Sequence, residues 1–310
     1  MPNVLVTGAS GMIGMYLCSN LLHKNYTVYA TDNKPNEFEG TNPNYIFTRC
    51  DISDKDAITG ILNSHHFDAV IHLANSVDND LDSFISDAEL KKAKVTDKYI
   101  YAAANKAKVG CFILLSSTSV YGIQKGREPI REENPEKGTS NYADLKMLSE
   151  KMFYKEFGKK SETKGVVARV APIYTAEFTD NLHTRIFISE LNYGYIFDDG
   201  SYGYSFCCVF NLIDFITGIV AEGGGKHTDL FNIADTKITT AAQIIKYEKD
   251  RHTIENVVEK ERGFTLGVNK MKVKTDYRYF DPSFTFNNWY IDNTKARKYA
   301  PFKWNLSNTR

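Results

Sequence analysis

The sequence carries no surplus of charge: 38 Lys and Arg face 38 Asp and Glu, and the formal net charge is zero. A nucleic-acid or acidic-membrane partner would need a basic excess, so neither is expected. There is also no apolar run of the ~20 residues that span a bilayer. The amino terminus passes from a short apolar strand straight into glycines, without the basic flank and cleavage site of a signal peptide. A cytoplasmic protein is expected. No two of the five cysteines, Cys18, Cys50, Cys111, Cys207 and Cys208, form a C-x-x-C pair. Several sit in apolar stretches, which reads as buried reduced thiols rather than disulfides or metal ligands. His65 and His66 adjoin each other in a polar stretch with no partner at ligand spacing, so no metal site is expected. Internal repeats and low-complexity linkers are absent too.

What is present is alternation. "NVLVTG" reads as a buried strand and Met12 to Lys24 as a helix with Ile13, Leu17, Leu21 and Leu22 on one side. "YTVYATD", "YIFTRCDI", "FDAVIHLAN" and "VGCFILLSS" read as further strands. Helices are expected between them over Asp54 to Asn63 and from about Ser86 to Lys106. Short, nearly unbroken apolar strands separated by helices imply an α/β fold, a doubly wound parallel sheet covered on both faces. From about Pro172 the alternation loses its regularity, and Tyr, Phe, Gly and Asn become frequent. The expected organisation is a Rossmann domain over 1–171, joined by a strand and helix around 206–235. A smaller substrate-binding region is assigned to 172–205 and 236–310.

"VLVTGASGMIG" closes the first strand with Gly8-x-x-Gly11-x-x-Gly14 and opens a helix. Glycines there let the turn be tight and let backbone N–H groups approach a pyrophosphate at the helix's positive end. The triplet gains weight from its place after a strand and before an amphipathic helix. Asp32 ends the second strand, where a carboxylate accepts hydrogen bonds from an adenosine ribose. A 2′-phosphate would be repelled there, so NAD is expected rather than NADP.

Tyr-x-x-x-Lys occurs three times, at Tyr121 with Lys125, Tyr142 with Lys146, and Tyr299 with Lys303. The last contains Pro301, which disrupts a regular helix. Tyr121 is followed by Gly122 just after a strand, leaving its lysine in a loop. Tyr142 differs: Ser140 or Asn141 can cap a helix, and Leu145, Leu148, Met152 and Phe153 supply an apolar side. Lys146 then stands one turn after Tyr142 on the same face. A free tyrosine titrates near ~10 and is a poor base at neutral pH. A close ammonium favours phenolate, and lowering the titration by about 3 pH units takes ~4 kcal/mol. Tyr142 would exchange a proton with a substrate hydroxyl while hydride passes to or from a nicotinamide. Ser117, at the carboxyl end of the fifth strand, would hydrogen-bond the same oxygen.

Taken in order, the glycine triplet, Asp32, Asp51-Ile52, "HLAN", "SSTSVYG" and Tyr142-x-x-x-Lys146 resemble the extended short-chain dehydrogenases/reductases. Within them the chain is most similar to the NAD-dependent nucleotide-sugar epimerase/dehydratase group. The likeness is specific over about residues 3 to 175 and weaker through "FNIAD" and "YIDNTKARKYAPFKW", which resembles the family's final Asp-x-x-Lys-Ala helix. It implies Ser117, Tyr142 and Lys146 as the catalytic set, and a homodimer built from paired helices. It places Asp51 and Ile52 near the adenine and makes Tyr121 a motif residue other than the base. The cofactor site is assigned to Gly8, Ser10, Gly11, Met12, Ile13, Asp32, Asn33, Asp51, Ile52, Leu73, Ala74, Ser116, Tyr142, Lys146 and Pro172. Substrate contacts are assigned to Thr118, Ser119 and Arg185.

The same resemblance bears on the reaction. Relatives that dehydrate sugars carry an Asp-Glu pair after the catalytic threonine, and decarboxylating relatives carry a glutamate just before Val-Tyr-Gly. Thr118 and Ser119 stand there instead, a pattern closer to the hexose 4-epimerases. Three departures concern the substrate. Lys92 lies where an Asn-Val-x-Gly run is usual, Pro172 replaces an asparagine, and Tyr204 replaces a diphosphate-binding arginine. Losing a bidentate, charge-assisted anchor is not conservative. Either Arg185, Lys226 or another cation holds the diphosphate, or the substrate is not a standard nucleotide sugar. Simple packing in a loop is the plainer expectation for Tyr202 and Tyr204. The leading reading is an NAD-dependent epimerase of a nucleotide sugar acting at C4. An oxidoreductase of a sugar nucleotide or other carbinol is the alternative, and a non-catalytic NAD-binding protein a third.

Overall fold

A computed structural model describes residues 1–36, 38–74, 86–122, 128–138, 140–183, 186–188, 193–260 and 290–309. The first part alternates except between its second and third strands: β1 (Asn3–Thr7), α1 (Met12–His23), β2 (Thr27–Asp32), β3 (Tyr45–Arg49), α2 (Lys55–Ser64), β4 (Ala69–His72), α3 (Asp87–Lys106), β5 (Cys111–Ser117), α4 (Asn141–Glu156) and β6 (Lys164–Val170). Then come β7 (Ile173–Tyr174), α5 (Asp180–His183), β8 (Phe187–Ile188), β9 (Tyr193–Phe197), β10 (Gly203–Tyr204), β11 (Cys207–Cys208), α6 (Val209–Ala221), β12 (Asp229–Ile233), β13 (Thr239–Thr240), α7 (Ala241–Asp250) and β14 (Asn256–Lys260).

Seven strands form one parallel sheet in the order β12-β6-β5-β4-β1-β2-β3. The order reverses between β1 and β4, which opens a crevice beyond their carboxyl ends where ligands bind in such sheets. Both faces are buried, as the nearly unbroken apolar strands require. On one face Val4, Val6, Ile71, Ile113 and Val166 pack under Leu17 and Leu21 of α1 and Leu212, Phe215 and Ile219 of α6. On the other, Leu5, Val70, Phe112 and Val167 meet Ile58 of α2, Ile100 and Ala104 of α3 and Phe153 of α4.

Most helices begin on a side-chain cap that satisfies a first-turn N–H. Asp54 accepts from Asp56 and Ala57, Ser140 accepts from Ala143, and Ser86 with Glu89 and Thr240 with Gln243 form capping boxes. Helix α1 begins on Gly11 and has no such cap.

The later segments are divided between two places. Strand β12 extends the main sheet and α6 lies beside α1. Strands β8, β9 and β14 form a separate small sheet, and α7 packs over Ile186, Ile196, Tyr204 and Phe206. Residues 290–302, grouped by sequence with the substrate region, instead send Ile291, Ala296, Ala300 and Phe302 into the main core. The chain there forms a short 3₁₀ turn at Ala296–Lys298 rather than a full helix.

Asp235 fastens the two places together. Its buried carboxylate accepts from the Tyr174 hydroxyl (2.7 Å), the Cys208 N–H (2.8 Å) and Asn211 Nδ2 (2.7 Å). Asn211 also donates to the Trp304 carbonyl and accepts from its N–H, bringing in the carboxy-terminal segment. Burial pushes the Asp235 carboxyl up to about 6, against these three hydrogen bonds. Between the unfolded value of 3.8 and about 6 the folded chain binds the extra proton. The stability this group contributes therefore falls as pH rises through that window, by up to about 3 kcal/mol. Asp235→Asn removes the dependence. Denaturant midpoints from pH 4 to 7 should move in favour of D235N relative to wild type as pH rises, and a pH-independent difference would contradict the assignment.

Candidate active site

The turn after β1 is shaped by three glycines that act differently. Gly8 has φ +72°, and a Cβ there would meet the Ala74 backbone N at 2.7 Å. At Gly14 a Cβ would fall 2.3 Å from the Gly8 carbonyl, so the helix seats directly on the turn. Gly11 has an ordinary φ of −74°, and a Cβ would find only the Gly8 carbonyl, at 3.4 Å. Neither strain nor packing demands glycine at that position. What its missing side chain provides is open space above an uncapped helix start at Met12 and Ile13.

Asp32 borders the same turn. Its carboxylate accepts from the Ser10 N–H (3.0 Å) and the Lys34 N–H (3.0 Å), one per oxygen, leaving further acceptor sites. Asn33 follows it at the surface. Beyond β3, Asp51 accepts from the Ser53 N–H at 2.8 Å, and that bond holds its carboxyl below the usual range, aided by the Lys92 charge. The Ile52 carbonyl accepts from the Tyr99 hydroxyl, and its side chain packs on the second cluster. Leu73 and Ala74 close the other side: Ala74 N–H donates to Thr7 Oγ1, which also bonds His72 Nδ1 at 2.8 Å.

The three tyrosine–lysine pairs have different surroundings. Tyr299 follows the 3₁₀ turn and packs edge-on to Phe215 and Phe231. Tyr121 is fully buried and donates to Asn232 Oδ1 at 2.7 Å, with burial raising its phenol to about 12. Lys125 lies outside the described residues. Tyr142 is half-buried on the first turn of α4, packed against the small cluster of Ala93 on α3 and Leu145. Lys146, one turn on, has Nζ 5.5 Å from the Tyr142 ring centre and donates to the Leu115 carbonyl at 3.1 Å. The lysine thus joins α4 to the last residues of β5.

Ser117 ends β5, and its hydroxyl oxygen accepts from the Ser119 N–H at 3.1 Å, capping the 3₁₀ turn Thr118–Tyr121. Thr118 is only 2 % exposed. The Ser119 hydroxyl is buried without a hydrogen-bond partner among the described residues. Ser116 points elsewhere: its hydroxyl makes a short hydrogen bond to Glu150 on α4. Pro172 is half-buried, and its carbonyl accepts from Cys207. Arg185 lies outside the described residues.

Neither position 204 nor Lys226 supplies an anchor for a diphosphate. Tyr204 fills the arginine position but is 2 % exposed, edge-on to Tyr202 and Phe206 in the small core. Lys226 follows the Gly223–Gly225 loop at the wrong end of the sheet. A Cβ on Gly224 would lie 2.5 Å from Cys111 Sγ at the start of β5, and Lys164 Nζ, at the start of β6, donates to the Gly223 carbonyl. Seven residues of strand, about 20 Å, separate that end from Ser117. Sequence reading missed Glu150 and Arg169, a pair buried beside the site. Their signal was a glutamate on the apolar side of α4 and an arginine inside an apolar strand.

A family model for the NAD dependent epimerase/dehydratase family matches residues 4–234. Among curated relatives, the dTDP-D-glucose 4,6-dehydratase of Homo sapiens is 25% identical over 256 residues, covering 78% of this chain and 72% of that one. The UDP-glucose 4-epimerase of Bacillus subtilis (strain 168) is 28% identical over 158 residues, covering 48% of this chain and 46% of that one. Among solved structures, the UDP-Glc/GlcNAc 4-epimerase of Campylobacter jejuni superposes with a TM-score of 0.79 at 16% identity, covering 99% of this chain and 95% of that one.

Asp32→Asn keeps an acceptor for the turn but removes the charge. Calorimetric titration should show NAD binding weakened about tenfold, ~1.4 kcal/mol, with less discrimination against NADP. Unchanged NAD affinity would contradict the placement of the ribose at Asp32.

Proposed function

The chain belongs to the NAD dependent epimerase/dehydratase family, and from that premise we propose that it epimerises a nucleotide sugar, oxidising and re-reducing one sugar carbon, C4 by preference. The observation that carries this reading is the pair Tyr142 and Lys146 at the carboxyl end of β5, with no carboxylate at positions 118 and 119.

The residues fit the family's cofactor. The open space at Gly11 and the uncapped start of α1 suit a pyrophosphate beside Ser10, held by the backbone N–H groups of Met12 and Ile13. Asp32 suits a ribose diol, and Asp51 an adenine amino group. Lys146 suits the second ribose, while Leu73, Ala74 and Pro172 line the way to it. The Ser116 hydroxyl is occupied by Glu150, so Ser116 is left its main chain for any contact. When bound, NAD accepts and returns the hydride, which no side chain here can do.

The chain's own groups handle the proton. Tyr142 removes it from the substrate hydroxyl as the carbon is oxidised and restores it afterwards. Ser117 donates a hydrogen bond to the same oxygen as it becomes a carbonyl. Lys146 stabilises the tyrosine oxygen when it is negative. Dehydration would need an additional acid and base beside the sugar, and Thr118 and Ser119 supply neither. This favours the 4-epimerases over the dehydratases among the relatives. Buried Tyr204 favours a second reading, an oxidoreductase of a carbinol without the usual diphosphate anchor. A homodimer is expected on either reading, and light scattering of the purified chain checks it.

With UDP-glucose as probe, NMR should show the C4 epimer accumulating. Tyr142→Phe should slow turnover by roughly 10²–10⁴-fold while NAD binding survives. Wild-type turnover in Y142F would overturn the assignment of the base. No epimer, together with net reduction of a ketone by NADH, would favour the second reading.

A further inference from the structure

A lysine with a glutamate four residues later on a helix is placed to pair with it. Lys146 and Glu150 stand in that relation on α4. Yet among the described residues no ion pair joins them: Lys146 Nζ donates to the Leu115 carbonyl, and the Glu150 carboxylate is engaged elsewhere. Arg169, on the neighbouring strand β6, holds it. Its Nε lies 3.0 and 3.2 Å from the two Glu150 oxygens, and a terminal nitrogen lies 2.7 Å from Oε2. Ser116, the cross-strand neighbour of Arg169, adds a short hydrogen bond to Oε1. The side chains of Arg169 and Glu150 are 3 % and 2 % exposed.

We propose that Arg169 is a positioning residue that acts through Glu150: by engaging both carboxylate oxygens it keeps Glu150 off Lys146 and leaves the ammonium to Tyr142. An ammonium neutralised by a carboxylate one turn away would stabilise a phenolate far less. The proposal rests on the reading of Tyr142 and Lys146 as the proton-transfer pair. Other charged or titratable groups surround the clamp. Glu136, from the segment before α4, makes a short contact to Arg169, and the Tyr121 ring lies 4.7 Å from the guanidinium. Tyr154 on α4 feels both charges of the pair, and Tyr101 of α3, beside Asp97, bonds Ser149. None of these replaces Arg169 on Glu150.

Ionisation of Tyr142 provides the test and requires no substrate. It is read as the phenolate absorbance that each variant loses when Tyr142→Phe is added, measured with NAD bound across pH 6 to 11. Arg169→Met frees Glu150 for Lys146, and the midpoint should rise by about one pH unit. Glu150→Gln removes the competing charge and keeps one acceptor oxygen for Arg169, so its midpoint should stay or fall. The double variant R169M/E150Q, which buries no lone charge, should return to near the wild-type value. A rise in Glu150→Gln like that in Arg169→Met would mean a merely structural clamp and overturn the proposal. So would an unmoved midpoint in Arg169→Met. If Arg169→Met does not fold, Glu150→Gln and the double variant decide the matter: a rise of half a unit in either overturns it. A wild-type midpoint at the ordinary tyrosine value would instead sink the underlying reading of Tyr142 as base.

Discussion

Helix α4 meets the end of β5 through two side chains one turn apart, Lys146 on the Leu115 carbonyl and Glu150 on the Ser116 hydroxyl. The candidate site depends on that seam. Tyr142 and Ser117 come from different elements, and their relation is fixed by how the helix sits on the strand. Phe153 and Leu145 bury the rest of the helix face, but apolar contacts alone tolerate sliding. Hydrogen bonds to two consecutive strand residues do not: Leu115 receives Lys146, and Ser116 reaches Glu150. Arg169 extends the seam to β6. A buried pair of this kind is costly to desolvate, and removing one partner costs roughly 3–5 kcal/mol because the other is stranded.

The same sheet accounts for where the remaining parts lie. Reversal of strand order between β1 and β4 opens the crevice into which the glycine turn, Asp32 and Ala74 face. Gly8 and Gly14 are demanded by close packing, whereas Gly11 is demanded by nothing among the described residues. That difference points to a ligand above α1. On the opposite edge, Asp235 gathers Tyr174, Cys208 and Asn211, and Asn211 in turn bonds Trp304 of the carboxy-terminal segment.

How much of this was legible in the sequence depends on the range of the interactions. Elements β1 to β6 and their helices follow from local pattern, because a strand covered on both faces must be apolar throughout and a helix must announce its cap. Ser140, Ser86 and Asp54 did so. The glycine turn and the Tyr142–Lys146 spacing are likewise local. The failures are non-local. Lys226 is close to the last helix and strand in sequence but sits at the amino ends of β5 and β6. Tyr204 packs, as one of the expectations had it, but the core it joins is assembled from four separate segments that no local pattern shows. Residues 290–302 return to the main sheet through contacts with Ile130 and Ala234, neither nearby in sequence. Glu150 and Arg169 meet only once the sheet exists.

The central claim is a dinucleotide held through both halves of a reversible oxidation, in a site that rejects a 2′-phosphate. Mass spectrometry of the small molecules released on denaturing the purified protein addresses it directly. About one NAD per chain, without NADP, is the expected result, and a nucleotide sugar released alongside would name the substrate class. NADP in its place would contradict the role of Asp32, and a chain empty of dinucleotide would contradict retention of the cofactor through turnover.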